Sequence, residues 1–216
     1  NLAPVRCKCE LARGPTTESA MQKLFTRCLD LQRPWEYDVY VREQGGYRGA
    51  RKALAMAPDA VTAEVLEAGL RGRGGAGFST GTKWGFFKRA RTDLPRYLVV
   101  NADEGEPGTF KDRLIMEFDP HRLIEGVICA CWALGAHSSY IFVRGELELA
   151  IRRLNQAIGE ARAAGFVGKG VAGSDFDLEI YVQPGAGAYI CGEETALLEC
   201  LEGKPGQPRM KPPFPA

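Results

Sequence analysis

The segment from Gly69 to Trp84 combines glycines with basic and aromatic side chains. It holds six glycines, and its cationic residues are Arg71, Arg73 and Lys83. Because glycine has no Cβ, backbone N–H groups in such a segment can turn toward an anion, and a flat ring can lie against the chain. The residue types favour a site for a ligand that carries phosphate and a ring. A solvated basic loop is the alternative.

Two familiar phosphate-binding motifs are excluded for this segment. Gly72, Gly74 and Gly77 match the spacing G-x-G-x-x-G of dinucleotide-binding proteins, but that motif follows a strand. Residues 60–70 have helical periodicity instead, so the match is rejected. A P-loop is also excluded, because the residues around Lys83 do not follow the order Gly-Lys-Ser/Thr.

A second segment, NADEGEPGTFKDR, is acidic. It carries four polar side chains directly after a predicted buried strand: Asn101, Asp103, Glu104 and Glu106. Open α/β sheets bind ligands at this end of their strands. Hydrogen bonding to a ribose or a ring, a divalent metal and a solvated turn are the three interpretations. A metal is disfavoured, because no histidine is near and Lys111 and Arg113 can neutralise the carboxylates.

A third segment, GAGAYICGEETALLE, passes from a predicted strand into a helix. Gly185, Gly187 and Gly192 flank Tyr189 and Cys191. The glutamates that follow, Glu193 and Glu194, favour a helix N-terminus electrostatically, so a purely structural cap is the alternative to a ligand contact. A ligand with both phosphates and sugar hydroxyls accounts for all three segments.

Strand and helix patterns alternate along the chain and predict the elements that position these segments. Strands are predicted at Tyr97 to Val100, Ser139 to Val143 and within residues 175–183. Helices are predicted at residues 47–56, 60–68, 120–134, 146–165 and 193–203. Strands separated by helices indicate an α/β fold with a mostly parallel sheet.

Composition narrows the possible functions. The 216 residues include 28 Lys and Arg against 27 Asp and Glu, a net charge of +1, which gives no reason to expect nucleic acid or an anionic membrane as the main partner. The seven cysteines form no C-x-x-C pair and favour a reducing, cytosolic compartment. The apolar stretch from Leu123 to Val143 is interrupted, so it predicts a buried helix and a strand and no membrane span. His121 and His137 lie outside the three segments and are assigned to structure.

Residues 1–44 differ from the rest of the chain. The spacing of apolar residues predicts one amphipathic helix from Thr17 to Leu31, and Pro34 then begins an extended link. We therefore predict a docking appendage over residues 1–44 and one α/β domain over residues 45–216. The proline-rich end, KPGQPRMKPPFPA, has no closing element, which favours a fragment.

The three segments, together with IFVRGE between the second and the third, resemble the flavoprotein subunit of bacterial respiratory complex I. That family is the NADH dehydrogenase subunit that carries FMN, and the resemblance runs from about Gly45 to Ala216. It implies a Rossmann-like sheet flanked by helices, with the glycine-rich loops binding FMN, and the helical appendage outside it.

The resemblance also implies a role for individual residues. The following residues surround the FMN phosphate and ribityl chain: Gly72, Arg73, Gly74 and Lys83. Hydrogen bonds to the flavin come from Asn101, Asp103, Glu104, Tyr189, Gly192 and Glu193. NADH stacks on Phe78, Phe86 and Phe214, and its polar groups contact Glu106, Glu194 and Lys211. Hydride passes directly from nicotinamide to flavin, so no catalytic base is expected in this chain. No residue of the chain is assigned as a metal ligand.

Members of this family continue into a further FMN-contacting segment, a ubiquitin-like domain and a bundle that holds a 4Fe-4S cluster. The resemblance implies transfer of electrons from NADH to iron–sulfur clusters and quinone. It also implies other peripheral-arm subunits as partners, especially the small thioredoxin-like 2Fe-2S subunit, and a cytoplasmic location peripheral to the inner membrane. One alternative is the diaphorase subunit of an NAD-reducing hydrogenase or NAD-dependent formate dehydrogenase. Another is a non-catalytic truncated fragment that docks a partner.

Overall fold

The computed structural model describes residues 26–88 and 93–212, and of Lys88 only its backbone. Three strands lie in this part of the chain: β1 (Tyr97–Ala102), β2 (Ser138–Val143) and β3 (Glu179–Pro184). The helices are α1 (Tyr37–Gln44), α2 (Arg48–Leu54), α3 (Pro58–Glu67), α4 (Thr80–Lys88), α5 (Lys111–Phe118), α6 (Pro120–Leu134), α7 (Glu148–Ala163) and α8 (Glu194–Leu201). Short 3-10 turns occupy Arg27–Asp30, Val171–Gly173 and Tyr189–Gly192.

The sheet is parallel and has the order β1-β2-β3. Its two faces are covered differently because alternate residues of a strand point to opposite sides. Ile141 and Val143 of β2 belong to the main core, whereas Phe142 packs on the other face with Cys191 and Leu197. The α/β prediction and its parallel sheet are therefore confirmed.

Helices α6 and α7 together contribute nine buried residues to the main core. Helix α6 begins with Pro120 in its first turn and ends at Gly135, whose φ of 67° allows the left-handed cap. On α7 the buried residues Ala150, Leu154, Ala157, Ile158 and Ala161 recur at helical spacing. Both helices have the predicted type and nearly the predicted bounds.

The extended link predicted after Pro34 is wrong. Residues Tyr37–Gln44 form helix α1, which contacts α6 and α7 and buries Tyr40. Its C-cap is Gly45, with φ 67°. The helix predicted from Thr17 to Leu31 lies mostly outside the described residues, and only the 3-10 turn Arg27–Asp30 falls within them. The domain boundary at residue 45 stays a prediction.

Buried polar contacts attach α1 to the rest of the protein. Tyr40 Oη and the backbone nitrogen of Tyr47 donate to the Glu125 carboxylate, the latter over 2.9 Å. Tyr47 Oη lies 2.8 Å from His121 Nδ1, and His121 Nε2 lies 3.1 Å from Glu160. We call these five residues the tyrosine–histidine cluster. Burial lowers the pKa of His121 despite the Glu160 carboxylate, so the assignment of this histidine to structure agrees with its surroundings.

Two features of the fold were not expected from the sequence. Helices α4 and α5 begin inside the glycine-rich and the acidic segments, at Thr80 and Lys111. Strand β3 begins at Glu179, later than the predicted residue 175, because Leu178 pairs with Gly168 in an isolated antiparallel bridge.

In the described ranges, no helix combines the length and the apolar character that crossing a bilayer requires.

Candidate functional site

The loops after the three strands meet at one edge of the sheet, which we call the carboxyl edge. Strand β1 brings Asn101 to this edge, where its Nδ2 donates to the backbone oxygen of Gly192 over 2.9 Å. This bond joins the acidic segment to the Tyr189–Gly192 turn. The second and third segments singled out in the sequence are therefore in direct contact.

Asp103 follows β1 and carries a buried atom without a partner. Its Oδ2 has no hydrogen bond. Burial raises the pKa of Asp103, although the nearby Arg144 guanidinium acts in the opposite direction. An unpaired buried carboxylate oxygen is costly unless a ligand satisfies it. Asp103 is therefore the residue of this edge that most needs a bound group.

Glu104 has a structural partner of its own. Its side chain is 3% exposed, and its two oxygens accept from the backbone nitrogens of Asp112 (2.9 Å) and Arg113 (3.0 Å). These N–H groups open helix α5 and would otherwise be unpaired. Glu104 thus fixes the start of α5, and its hydrogen bond to a flavin stays a prediction.

Glu193 caps helix α8. Its carboxylate accepts from the backbone nitrogens of Thr195 (2.8 Å) and Ala196 (3.0 Å), and Lys211 Nζ donates to it over 2.9 Å. Desolvation opposes the charged form, but these bonds and the Thr195 hydroxyl outweigh it and lower the pKa of Glu193 to about 2. The structural cap that the sequence left open is present. It does not test the predicted flavin contact.

The predicted NADH-contacting residues fall into two groups. Glu106 accepts from Tyr189 Oη over 2.7 Å, and Glu194 accepts from Lys211 Nζ over 2.6 Å. The second group consists of Phe78 and Phe86, whose ring centroids are 6.3 Å apart and whose side chains are about half exposed. Phe214 lies outside the described residues.

The first part of the glycine-rich segment is a closed loop, and its last five residues, from Thr80, belong to helix α4. An antiparallel bridge between Arg71 and Ser79 closes the loop, and the backbone nitrogen of Gly72 donates to Phe78 over 2.8 Å. Gly74 has open space around it, because a Cβ there would meet no atom within 4 Å. Arg73 is exposed.

Lys83 connects this loop region to the third segment. Its Nζ lies 3.8 Å from Glu194 Oε2 at the start of α8. Glu194 also accepts from Lys211, so two cations share one carboxylate there. The structure therefore brings the region after the glycine-rich loop, the acidic segment and the third segment to the same edge.

The loop after β2 also contributes contacts to the carboxyl edge, and these were not predicted from the sequence. Arg144 donates to the backbone oxygen of Gly105 over 3.1 Å and to Glu146 over 3.1 Å. A Cβ at Gly145 would overlap the backbone oxygen of Gly185, so the loops after β2 and β3 approach closely there. The position of RGE at the end of a predicted strand was the signal that could have identified these residues.

The carboxylates of the described part of this edge are not grouped as a cation site. Among the residues that the structure describes, no three His, Cys, Asp or Glu side chains are grouped so that they could hold a metal ion. His137 lies at the opposite end of β2, where its Nδ1 is 2.8 Å from the backbone oxygen of Asp177.

A parallel sheet with glycine-rich, basic and acidic loops at its carboxyl edge defines a nucleotide-binding α/β protein. Residues 65–216 match the family described as the Nuo51 FMN-binding domain, and the chain belongs to that family. The resemblance seen in the sequence is confirmed, and FMN is the cofactor of the family.

Named relatives support the same family. An NADH-quinone oxidoreductase subunit of Streptomyces coelicolor is 53% identical over 204 residues, which are 94% of this chain and 45% of that protein. The protein of the same name in Escherichia coli K12 is 53% identical over 194 residues, 89% of this chain and 43% of that protein. The chain thus spans less than half the length of these relatives. The Streptomyces match leaves only about 6% of the chain uncovered, which is far fewer residues than the 44 of the appendage. The sequence likeness therefore includes most of residues 1–44, where no resemblance to the family was expected.

A solved structure has the same fold. The crystal structure of an NAD+-reducing NiFe-hydrogenase in the H2-reduced state superposes with a TM-score of 0.70 and 44% identity. The match covers 79% of this chain and 28% of the hydrogenase chain. The Rossmann-like fold class is confirmed.

The residues at the carboxyl edge fit FMN. The cofactor has a phosphate, a hydroxylated chain and a flat ring, and the edge offers the Lys83 cation, the amide of Asn101, the carboxylate of Asp103 and the exposed ring of Tyr189. The unpaired Asp103 Oδ2 and the open space at Gly74 are the two observations of this structure that a bound group would explain.

Proposed function

We propose that this chain binds FMN at the carboxyl edge and serves, within a longer protein, as the flavoprotein subunit of an NADH-quinone oxidoreductase. One observation carries the proposal: two contacts join segments that are far apart in the sequence. Asn101 donates to Gly192, and Lys83 lies near Glu194. When bound, FMN supplies the acceptor for hydride from NADH. The chain itself supplies binding, orientation and electrostatics.

The proposed FMN site uses the first-segment residues for charge and close approach. Gly72 and Gly74 leave the backbone bare, and Arg73 and Lys83 complement a phosphate. The proposed hydrogen bonds to the flavin come from the other two segments. The acidic segment contributes Asn101, Asp103 and Glu104, and the third segment contributes Tyr189, Gly192 and Glu193. Support comes from Asp103, whose unpaired oxygen gains a partner when a ligand donates to it.

The proposed NADH site lies beside it. The exposed rings of Phe78 and Phe86 offer surfaces for stacking, and Phe214 is proposed to join them. Glu106, Glu194 and Lys211 present polar groups, each already oriented by a hydrogen bond. No residue has to remove a proton, because positioning and water exclusion suffice for a direct hydride transfer.

We further propose that the longer protein assembles with other peripheral-arm subunits of complex I, especially a small thioredoxin-like 2Fe-2S subunit. A cytoplasmic position peripheral to the inner membrane follows from that assembly. The 4Fe-4S cluster is proposed to belong to the part of the relatives that this chain does not span.

A second candidate is the diaphorase subunit of an NAD-reducing hydrogenase, which the TM-score of 0.70 with such a hydrogenase favours. Its identity of 44% is below the 53% with the quinone-oxidoreductase relatives. Mass spectrometry of subunits that copurify with the longer protein separates the two: quinone-oxidoreductase subunits support the first candidate, and hydrogenase subunits support the second.

The cofactor proposal is tested with the variant Gly72→Ala/Gly74→Ala. Neither glycine has positive φ, and in the free protein an added Cβ meets no atom closer than 3.7 Å, so the fold is expected to survive. The new methyl groups occupy space proposed for FMN. We expect fluorescence titration to show FMN binding by the unchanged chain and by Gly159→Ala, a matched change on α7, and none by the double variant.

NADH is then added anaerobically to the FMN-loaded chain while the oxidised-flavin absorbance is followed. Bleaching supports the redox function. Binding of FMN without bleaching supports the alternative of a non-catalytic fragment. The variant Glu194→Gln is expected to slow bleaching while FMN binding is kept, and an unchanged rate contradicts the NADH role of that residue.

A further inference from the structure

The sulfur atoms of Cys191 and Cys200 lie 3.2 Å apart beneath the carboxyl edge. Cys191 belongs to the Tyr189–Gly192 turn and is 5% exposed, and Cys200 lies near the end of α8 and is partly exposed. Both are free thiols. A disulfide bond is about 2.0 Å long, so a relative movement of roughly 1 Å is enough to join them.

We propose that Cys191 and Cys200 are a redox-sensitive thiol pair that a hydroperoxide closes to an intramolecular disulfide, and that closure weakens FMN binding at the adjacent turn. Formation of the disulfide depends only on the two sulfurs. The effect on FMN binding rests on the proposed function.

The chemistry begins at Cys200, the more exposed sulfur. Its thiolate attacks the peroxide, the O–O bond breaks, an alcohol (or water, from hydrogen peroxide) leaves, and Cys200 becomes a sulfenic acid. Cys191 then attacks that sulfur, the S–S bond forms, the S–O bond breaks and water leaves. The two thiols lose two electrons and two protons, and the peroxide is reduced.

The contact between the two sulfurs and the greater exposure of Cys200 assign the first attack to Cys200 and the second to Cys191. Burial, helped by the hydrogen bond with Cys200, raises the pKa of Cys191 to about 11, so at neutral pH it does not compete for the first attack. Once Cys200 is oxidised, its sulfur is the electrophile already in contact with Cys191.

Movement of these sulfurs reaches the proposed FMN site through two neighbours. Gly192 follows Cys191 directly and accepts the hydrogen bond from Asn101. The backbone at Gly206 lies against both sulfurs, because a Cβ there would come within 2.8 Å of each. The chain continues from Gly206 to Lys211, which donates to Glu193 and Glu194. Closure therefore disturbs contacts on both sides of the turn.

The disulfide is tested by limited oxidation of the purified chain with hydrogen peroxide, alkylation of the remaining thiols and digestion with a glutamate-specific protease without reductant. Glu193, Glu194 and Glu199 lie between the two cysteines, so cleavage separates them unless a disulfide holds the pieces together. We expect mass spectrometry to find residues 180–193 linked to residues 200–202, and dithiothreitol to release them.

Matched variants identify the pair. Cys200→Ser is expected to abolish the linked fragment, and Cys129→Ser, which changes another partly exposed cysteine, is expected to retain it. Recovery of Cys191 and Cys200 in fully alkylated form, or Cys191 linked to a different cysteine, overturns the proposed pair.

The coupling is tested by FMN titration of the reduced chain, the oxidised chain and the oxidised chain after dithiothreitol. We expect oxidation to raise the FMN Kd about fivefold, the lower end of typical coupling between sites, and dithiothreitol and Cys200→Ser to abolish the change. An unchanged Kd after mapped closure overturns the coupling alone. Absence of FMN binding by the reduced chain overturns the coupling and the proposed function together, and a mapped disulfide then stands by itself.

Discussion

The tyrosine–histidine cluster and the carboxyl edge contain similar residue types but differ in how their polar groups are satisfied. In the cluster, Glu125 accepts from Tyr40 and from the backbone nitrogens of Tyr47 and Ala50. At the edge, Asp103 Oδ2 is buried without a partner. A carboxylate with internal donors therefore serves the fold, whereas one left unpaired by the fold is available to a ligand.

Glycines in the two regions differ in the same way. A Cβ at Gly46 would overlap the Tyr40 ring, whereas a Cβ at Gly74 would meet nothing within 4 Å. Gly46 is therefore required by packing inside the cluster. The bare backbone at Gly74 has no such structural reason. Four substitutions test this contrast between the two regions, in order of decreasing effect.

The strongest effect is expected for Glu125→Ala. This change leaves three donors of the cluster without their acceptor, and each lost partner costs about 1–3 kcal/mol, so we expect a loss of about 4 kcal/mol in the free energy of unfolding. Urea denaturation measures it. Glu67→Ala, an exposed carboxylate at the end of α3, is the control and should change stability by less than about 0.5 kcal/mol. Equal losses of stability for Glu125→Ala and Glu67→Ala would contradict the structural role assigned to Glu125.

Gly46→Ala is expected to cost about 3 kcal/mol, because the new methyl group displaces the buried Tyr40 ring. Thermal unfolding checks this, with Gly72→Ala/Gly74→Ala as the counterpart from the carboxyl edge. We expect the melting temperature of the counterpart to stay near that of the unchanged chain. A large drop for the counterpart would mean that the glycine-rich loop is packed and not open.

Asp103→Ala should separate binding from folding. Asp103 Oδ2 has no partner in the fold. Removing the side chain therefore leaves the free energy of unfolding within about 0.5 kcal/mol or raises it, whereas FMN binding loses a hydrogen bond worth about 1.4 kcal/mol, or tenfold in Kd. Paired urea and FMN titrations measure both. Asp175→Ala, an exposed carboxylate four residues before β3, should change neither. A large loss of stability without loss of FMN would assign Asp103 to the fold.

Glu193→Gln is expected to have the weakest effect, a loss of about 1 kcal/mol from a weaker cap of α8. The pKa of Glu193 is lowered from 4.5 to about 2, so its charge stabilises the fold fully above pH 4.5 and progressively less as the pH falls toward 2. The stability difference between the two proteins should therefore shrink over that range. Glu194→Gln keeps the cap and serves as the control. A difference that does not vary with pH would contradict the assigned cause.

Local signals in the sequence predicted the long elements well. Helix α6 was predicted with its observed bounds, since Pro120 and Gly135 are strong start and stop signals and its apolar period is regular. Helices α1, α4 and α5 were missed. Helix α1 is short and mostly polar, and it is held by Glu125 and Glu160, which are distant in sequence. Its formation depends on tertiary contacts, and such contacts leave little local pattern.

The three candidate segments were identified from the sequence because glycine, basic and acidic residues cluster within each of them. The sequence did not show which of their carboxylates have hydrogen-bond partners within the fold. Glu104 and Asp103 are neighbours in the same acidic segment, yet one caps α5 and the other has an unpaired oxygen. The contact of Arg144 with Gly105 was not identifiable either, because it joins two loops that are far apart in the chain.

Periodicity and local composition are properties of neighbouring residues, so the α/β class, the family and the residue types available to an FMN site could all be read from the sequence. Which atoms meet became visible only in the folded chain: Asn101 with Gly192, Lys83 with Glu194, and the sulfurs of Cys191 and Cys200. Hydrogen bonds, ion pairs and burial depend on distances of a few ångströms in space, and parallel strand pairing fixes those distances between segments separated by many residues.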